Sequence, residues 1–246
     1  LWRFDVNGDI GAPGFDSQRL ATLRDGSGNV QPLTARPELG QVNGIAMVYV
    51  GTGRYLGISD LTDKRQQSIY AVKDTLGTTD WGNPRTPGNF VQQTMSDGTC
   101  PTGSSACAPS QTVRVGTSNA VDLTTKAGWY VDLPVEAERA NTDPQLALGT
   151  LVVTTNIVDP SACNVGGKSF INFFDYRTGG PVSSSLGVVS TLLGNAIATR
   201  PTIVRLPTGK VVSLTRLSDN STVVSPIPIG NTPGTTRRIS WRELTN

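Results

Sequence analysis

The chain has 246 residues and a formal charge of +2, and 43 of its residues are Gly or Pro, about 17 % against an average near ~12 %, so it is turn-rich without reaching a disordered composition. It contains no histidine, which excludes a Ser-His-Asp or Cys-His hydrolase within the chain and any His-bearing zinc or haem site. With 21 Lys and Arg against 19 Asp and Glu, and no basic run longer than Lys64-Arg65 or Arg237-Arg238, a nucleic-acid footprint is missing. No apolar stretch approaches the roughly 18 to 20 residues that a membrane-spanning helix requires.

Thirty Thr and 24 Val carry β-branched side chains that are stiff at χ1 and favour a pleated surface. The expectation is an all-β chain of many short strands, long enough to bury one sizeable core as a single domain. Taken in order, Leu1-Trp2-Arg3-Phe4-Asp5 reads as a strand closing on Asp. It starts in mid-strand and without Met, as expected for a piece cut from a longer protein. Asp5, Asn7, Asp9 and Asp16 imitate the spacing of a calcium loop. However, Ile10 stands where that loop needs Gly, and a strand running into an Asn-Gly turn accounts for the same residues.

Pro-led strands then alternate with wholly apolar ones: Arg36-Pro37-Glu38-Leu39 before Ile45 to Val50, Asp143-Pro144-Gln145-Leu146 before Leu151 to Thr155, and Arg200-Pro201-Thr202-Ile203 before Val211 to Thr215. Asp-closed strands recur at Ile69 to Asp74 and Phe170 to Asp175, with a weaker copy at Ile239 to Glu243. Gly51-Thr52-Gly53 places small residues where two backbones can approach closely. Arg54 beside them suits either an anion or a structural role at the strand end. Asp60 to Gln67 reads as a loop with a helical turn, and apolar residues at 69, 72 and 76 also suit a helix. The longest excursion, 75–127, opens on consecutive turns at Trp81 to Gly88 and ends at the strand Gly128 to Leu133. Either it binds a partner or it is a mobile insertion stapled by a disulfide.

Cys100 and Cys107 flank a flexible Gly/Pro/Ser-rich spacer that lets the two sulfurs meet, and a disulfide there points to an oxidising compartment. The alternatives are three reduced thiols or a pairing that uses Cys163. Ala162 to Ser169 matches a relaxed phosphate-loop pattern, but such a loop needs a helix starting at Lys168, where the sequence predicts a strand. The neighbouring carboxylates Asp60/Asp63 and Glu136/Glu138 leave a glycosidase pair formally open. A solvated loop charge is the plainer reading.

Apolar runs of four to six residues bounded by turns fit strands buried on both faces, the setting that stacked four-stranded blades provide. The predicted fold class is therefore an all-β propeller, of which this chain holds about three blades with long insertions. Alone it would be an open arc with exposed edges.

Several segments together resemble the C-terminal propeller of the PilC/PilY family of type IV pilus biogenesis proteins and tip-associated adhesins. They are Leu1 to Asp5, Gln31 to Glu38, Val50 to Leu56, Gln67 to Asp74, Gly128 to Pro134, Glu138-Arg139, Cys163 to Ser169 and Arg237 to Leu244, in order along nearly the whole chain. The resemblance implies a modified seven-bladed propeller of an exported Gram-negative protein, at the cell surface, pilus tip or outer membrane. It implies a non-enzymatic role in pilus assembly, retraction control and attachment, with pilins or minor pilins and a host-cell or abiotic surface ligand as partners. The family's calcium loop lies upstream of the segment aligned with Leu1. No catalytic, cofactor or metal residue is therefore carried onto this chain, although the whole protein is expected to bind calcium. Two other functions stay open: a quinoprotein-like propeller enzyme, thinly supported by four Trp and no adjacent cysteines, and a surface interaction module without a pilus role.

Overall fold

A computed structural model describes residues 1–6, 16–159 and 166–230. Within them the alternation of Pro-led and apolar runs becomes antiparallel strand pairs. β1 (Trp2–Phe4) pairs with β2 (Ser17–Arg19), and the Asp5 amide donates to the Asp16 carbonyl at 2.9 Å, extending that ribbon by one rung. β3 (Glu38–Val42) turns through Asn43 and Gly44 into β4 (Ile45–Gly51). Both turn residues have positive φ, 50° and 83°, the two-residue hairpin geometry that Asn-Gly favours. A 3-10 turn at Ile58–Thr62 precedes β5 (Ser68–Asp74), so the helical alternative for 69–76 gives way to a strand. The apolar run of β5 pairs on both sides, which satisfies its whole backbone ladder.

The excursion 75–127 carries three strands: β6 (Phe90–Gln93), β7 (Met95–Gly98) and β8 (Val113–Gly116). β9 (Gly128–Asp132) then returns antiparallel to β5 and parallel to β6. The first blade is thus a five-stranded sheet in the order β3-β4-β5-β9-β6. β10 (Glu138–Arg139), β11 (Gln145–Ala147), β12 (Thr150–Val158), β13 (Gly167–Asp175) and β14 (Val188–Gly194) follow. They form the second blade, in the order β10-β12-β13-β14-β8-β7 with β11 also on β12. The excursion therefore supplies β6 to one blade and β7-β8 to the next. A third sheet holds β15 (Thr202–Arg205), β16 (Val211–Arg216) and β17 (Thr222–Pro226).

Three buried apolar layers separate these sheets. Leu20, Leu23, Val48, Val50, Tyr70 and Tyr130 pack between the first ribbon and blade one. Met47, Tyr49, Trp129, Leu151, Val153 and Phe174 fill the space between blades one and two. Val152, Ile171, Phe173, Val188, Val211 and Leu217 do the same between blades two and three. Alternate residues of one strand feed opposite layers, as Val152 and Val153 do, because successive side chains point to opposite faces. This is the all-β propeller packing expected from continuous apolar runs, with the sheets of blades one and two buried on both faces.

Lys168 and Ser169 lie inside β13. A strand there denies the Gly-Lys-Ser stretch the helix N-terminus that a phosphate site needs. Asn7, Gly8, Asp9, Ile10, Cys163 and the segments Ile239 to Glu243 and Arg237 to Leu244 lie outside the described residues. Among the described residues no helix is long and apolar enough to cross a membrane.

Candidate interaction surface

One end of blade one gathers the loop between β4 and β5, the turn between β9 and β10, and residue 30. They meet there because β4 and β9 both run toward the end from which β5 starts, Ser68 lying opposite Asp132 and Gly51 opposite Ile69. Small residues make the junction. A Cβ on Gly51 would stand 2.5 Å from the Ala140 Cβ, and one on Gly53 would stand 2.4 Å from the Arg139 Cβ. Gly53 also has φ +128°, open to glycine and strained for other residues. The close backbone approach expected at Gly51-Thr52-Gly53 is present, and the Ala140 amide donates to the Thr52 carbonyl at 2.9 Å.

That approach buries Arg139, whose guanidinium becomes the organiser of the loop. It donates to the carbonyls of Arg54 and Asp60, each at 2.8 Å, and to those of Ala137 and Asp63, each at 3.1 Å. Burial lowers its pKa, with Asp63 and Asp60 opposing that trend. Asp60 works from the other side, accepting the Leu56 amide at 2.8 Å, the Gly57 amide at 3.2 Å and Arg54 Nε at 2.7 Å. The Leu56 amide first, and then the Arg54 side chain, hold its carboxyl below the usual value against desolvation. Arg54 therefore has the structural role at the strand end. Asp63 accepts from Arg65, at 2.8 Å from Nε, and Lys64 pairs with Glu136 at 3.6 Å. The Asp60/Asp63 and Glu136/Glu138 carboxylates are each committed to a cation.

On this clamped frame the aliphatic side chains point outward. Leu56 is 77 % exposed and Ile58 87 %, and Tyr55, Val135 and Val30 are exposed as well. Arg65 reaches the Val30 carbonyl at 3.2 Å, which ties that residue to the same loop. Beside it lies an open groove of about 550 Å³ lined by Asp25, Ser27, Asn29, Thr62, Lys64 and Gln66, among others.

The excursion 75–127 is anchored by two aromatic-cation contacts. Trp81 Nε1 donates to the Lys73 carbonyl at 2.7 Å, and Lys73 Nζ sits 5.2 Å from its ring. Arg85 lies 4.7 Å over the Tyr130 ring and donates to Asp132, to Ser68 Oγ at 3.0 Å and to the Arg24 carbonyl at 2.6 Å. Desolvation works against that charge, and the Asp132 carboxylate more than offsets it, raising the Arg85 pKa. Behind it, Tyr70 donates to Gln31 Oε1, and burial pushes its phenol up to about 12. Farther along, Arg114 on β8 forms a two-pronged pair with Glu138 at 2.8 and 2.9 Å, both side chains fully buried.

Cys100 and Cys107 form a disulfide at the tip of the β7-β8 hairpin, with their Cα atoms 5.9 Å apart. Around it, Ser104 and Ser105 bond to the carbonyls of Ser185 and Ser184, each at 2.8 Å. Because β7 and β8 are also held by their own sheet, the paired Cys100→Ser, Cys107→Ser variant should loosen this tip without unfolding the blades. The expected cost is about 2 to 3 kcal/mol by loop entropy. Circular dichroism should keep the full β signal, and its global loss would contradict the local role.

No family model matches the chain. It is similar to two proteins of Xylella fastidiosa (strain Temecula1), each described as a type IV pilus biogenesis factor PilY1 homolog. One is 28 % identical over 99 % of this chain, and the other 27 % identical over 77 %. The chain spans only 20 % and 13 % of their lengths. Among solved structures it is similar to the C-terminal domain of Pseudomonas aeruginosa PilY1, a β-propeller, with TM-score 0.64 and 20 % identity. That match covers 88 % of this chain and 50 % of the solved one. The resemblance to the PilC/PilY proteins drawn from sequence motifs and the propeller fold are thus both met.

Proposed function

We propose that this relative of the PilC/PilY proteins is a non-enzymatic module of type IV pilus biogenesis, acting in pilus assembly, retraction control and surface attachment at the cell surface. The observation that carries the reading is the similarity to a pilus biogenesis factor along 99 % of the chain. The architecture supports it: blades with buried faces form a rigid frame, and a polar clamp holds one loop with its apolar side chains in solvent. Pilins or minor pilins and a host or abiotic surface are the partners on this reading, and calcium binding belongs to the whole protein.

The test is deletion of the gene in its own host, with sheared surface pili quantified before and after retraction is disabled. Pili should vanish and return when retraction is blocked. Unchanged pili, twitching and attachment would overturn the reading.

A further inference from the structure

We propose that one water molecule is built into blade two, bound by Arg114, Asn172 and Ser190 on the face that packs against blade one. The inference is independent of the pilus reading. It rests on side chains that strands of this chain already enclose, so further chain around the molecule can only bury them more.

The three residues stand in one row across three neighbouring strands. Arg114 of β8 lies opposite Ser190 of β14, and Ser190 lies opposite Asn172 of β13. Directly opposite residues share a face of the sheet, and Phe174, two positions beyond Asn172, places that face in the layer between blades one and two. All three side chains are fully buried. Among the described residues, each keeps one polar atom without a hydrogen-bond partner: Arg114 Nε, Asn172 Oδ1 and Ser190 Oγ. Native interiors rarely leave such groups unpaired.

The geometry aims those atoms at one another. The Arg114 side chain runs across the sheet, because its guanidinium meets Glu138 of β10 at 2.8 and 2.9 Å and lies 3.6 Å from the centre of the Phe170 ring on β13. In the strand order β10-β12-β13-β14-β8 that path crosses β14, the strand of Ser190. The Asn172 amide is fixed in the opposite sense: Nδ2 donates to the Val153 carbonyl and to Thr155 Oγ1 on β12, each at 3.1 Å, which turns Oδ1 toward β14. The ladder between β14 and β8 also shifts register between Val188 and Ser190, and a bulge of this kind interrupts the pairing and re-aims side chains.

Chemistry selects the occupant. Arg114 Nε only donates, Asn172 Oδ1 only accepts, and the Ser190 hydroxyl does either. A metal cation would face the N–H, and an anion would face the amide oxygen. The Arg114 charge is already matched by Glu138, so the site has no surplus charge for an ion to balance. Water accepts from the first atom, donates to the second and spends a third bond on the hydroxyl, the number typical of buried water.

Two readouts on the intact protein test this. A crystal structure that resolves ordered solvent should show a peak within about 3.2 Å of all three atoms. Direct bonds among the three groups, or no peak, would overturn the proposal, and a bromide anomalous signal at that position after a soak would replace the water with a halide ion. In parallel, Ser190→Asn carries its own donor and acceptor to the water's position, whereas Ser190→Leu, of similar size, carries neither. The Asn variant should lose the peak and melt close to wild type. The Leu variant should melt at least about 3 °C lower, since it expels the water and leaves Arg114 Nε and Asn172 Oδ1 unpaired. Equal melting of the two variants would overturn the bridging role, and the wild-type peak decides the matter if neither variant folds.

Discussion

Trp129→Ala is expected to lower stability by about 3 to 5 kcal/mol, the range for deleting a buried Trp or Phe side chain. The indole is fully buried between blades one and two, with its ring centroid 6.0 Å from Phe174 of blade two and 6.4 Å from Tyr49 of blade one. Its Nε1 donates to the Tyr176 carbonyl at 3.2 Å. Gly179, with φ +72°, lies flat against the ring, and a Cβ there would stand 2.4 Å from it. A backbone that closely fitted cannot collapse into the space the indole leaves, which favours the upper part of the range. Thermal unfolding checks it, and an unchanged melting temperature would show that the inter-blade layer does not depend on this residue. Gly179→Ala should be destabilising through the same ring, since the added methyl meets it while the left-handed φ disfavours any side chain.

Arg114→Met should cost about 3 to 5 kcal/mol, because it strands the Glu138 carboxylate in a fully buried site. Arg114 also lies 3.6 Å over the Phe170 ring, and Glu138 accepts a further bond from Thr155 Oγ1 at 2.6 Å. The double variant Arg114→Met/Glu138→Leu should recover most of the loss, since a buried pair replaced by apolar residues of similar size is often near neutral. Denaturant unfolding of the single and double variants forms the required cycle. A double variant as unstable as the sum of the two singles would mean that the charges do not act as a pair.

Much of the strand framework could be read from residues. Pro-led and apolar runs mark β3, β4, β11, β12, β15 and β16 because Pro confines the preceding residue to extended backbone and continuous Val, Ile and Leu suit a strand buried on both faces. The small residues at Gly51 and Gly53 announced a close backbone approach, and the six-residue spacer announced the Cys100–Cys107 disulfide. Long-range pairing was not legible. Nothing around Arg114 indicates that its partner is Glu138, 24 positions away, or that its strand would join β14 of the next blade. Glu138-Arg139 stands out as a motif in the sequence, yet its physical meaning appears only when the Gly51–Gly53 backbone presses on it and the guanidinium reaches four carbonyls. The exposed Leu56 and Ile58 were hidden for the converse reason: apolar residues in a loop look like core until the fold turns them outward.

The divided allegiance of the excursion also sets an order of events during folding. Blade one has all its strands once the chain reaches Asp132, the end of β9. The β7-β8 hairpin is then already made, but its outer partner β14 begins only at Val188. For that stretch of synthesis β8 is an unpaired edge, and closing its ladder brings together residues as distant as Arg114 and Ser190. Such long loop closures are slow relative to local hairpins. The second blade should therefore be the late and aggregation-sensitive step of assembly.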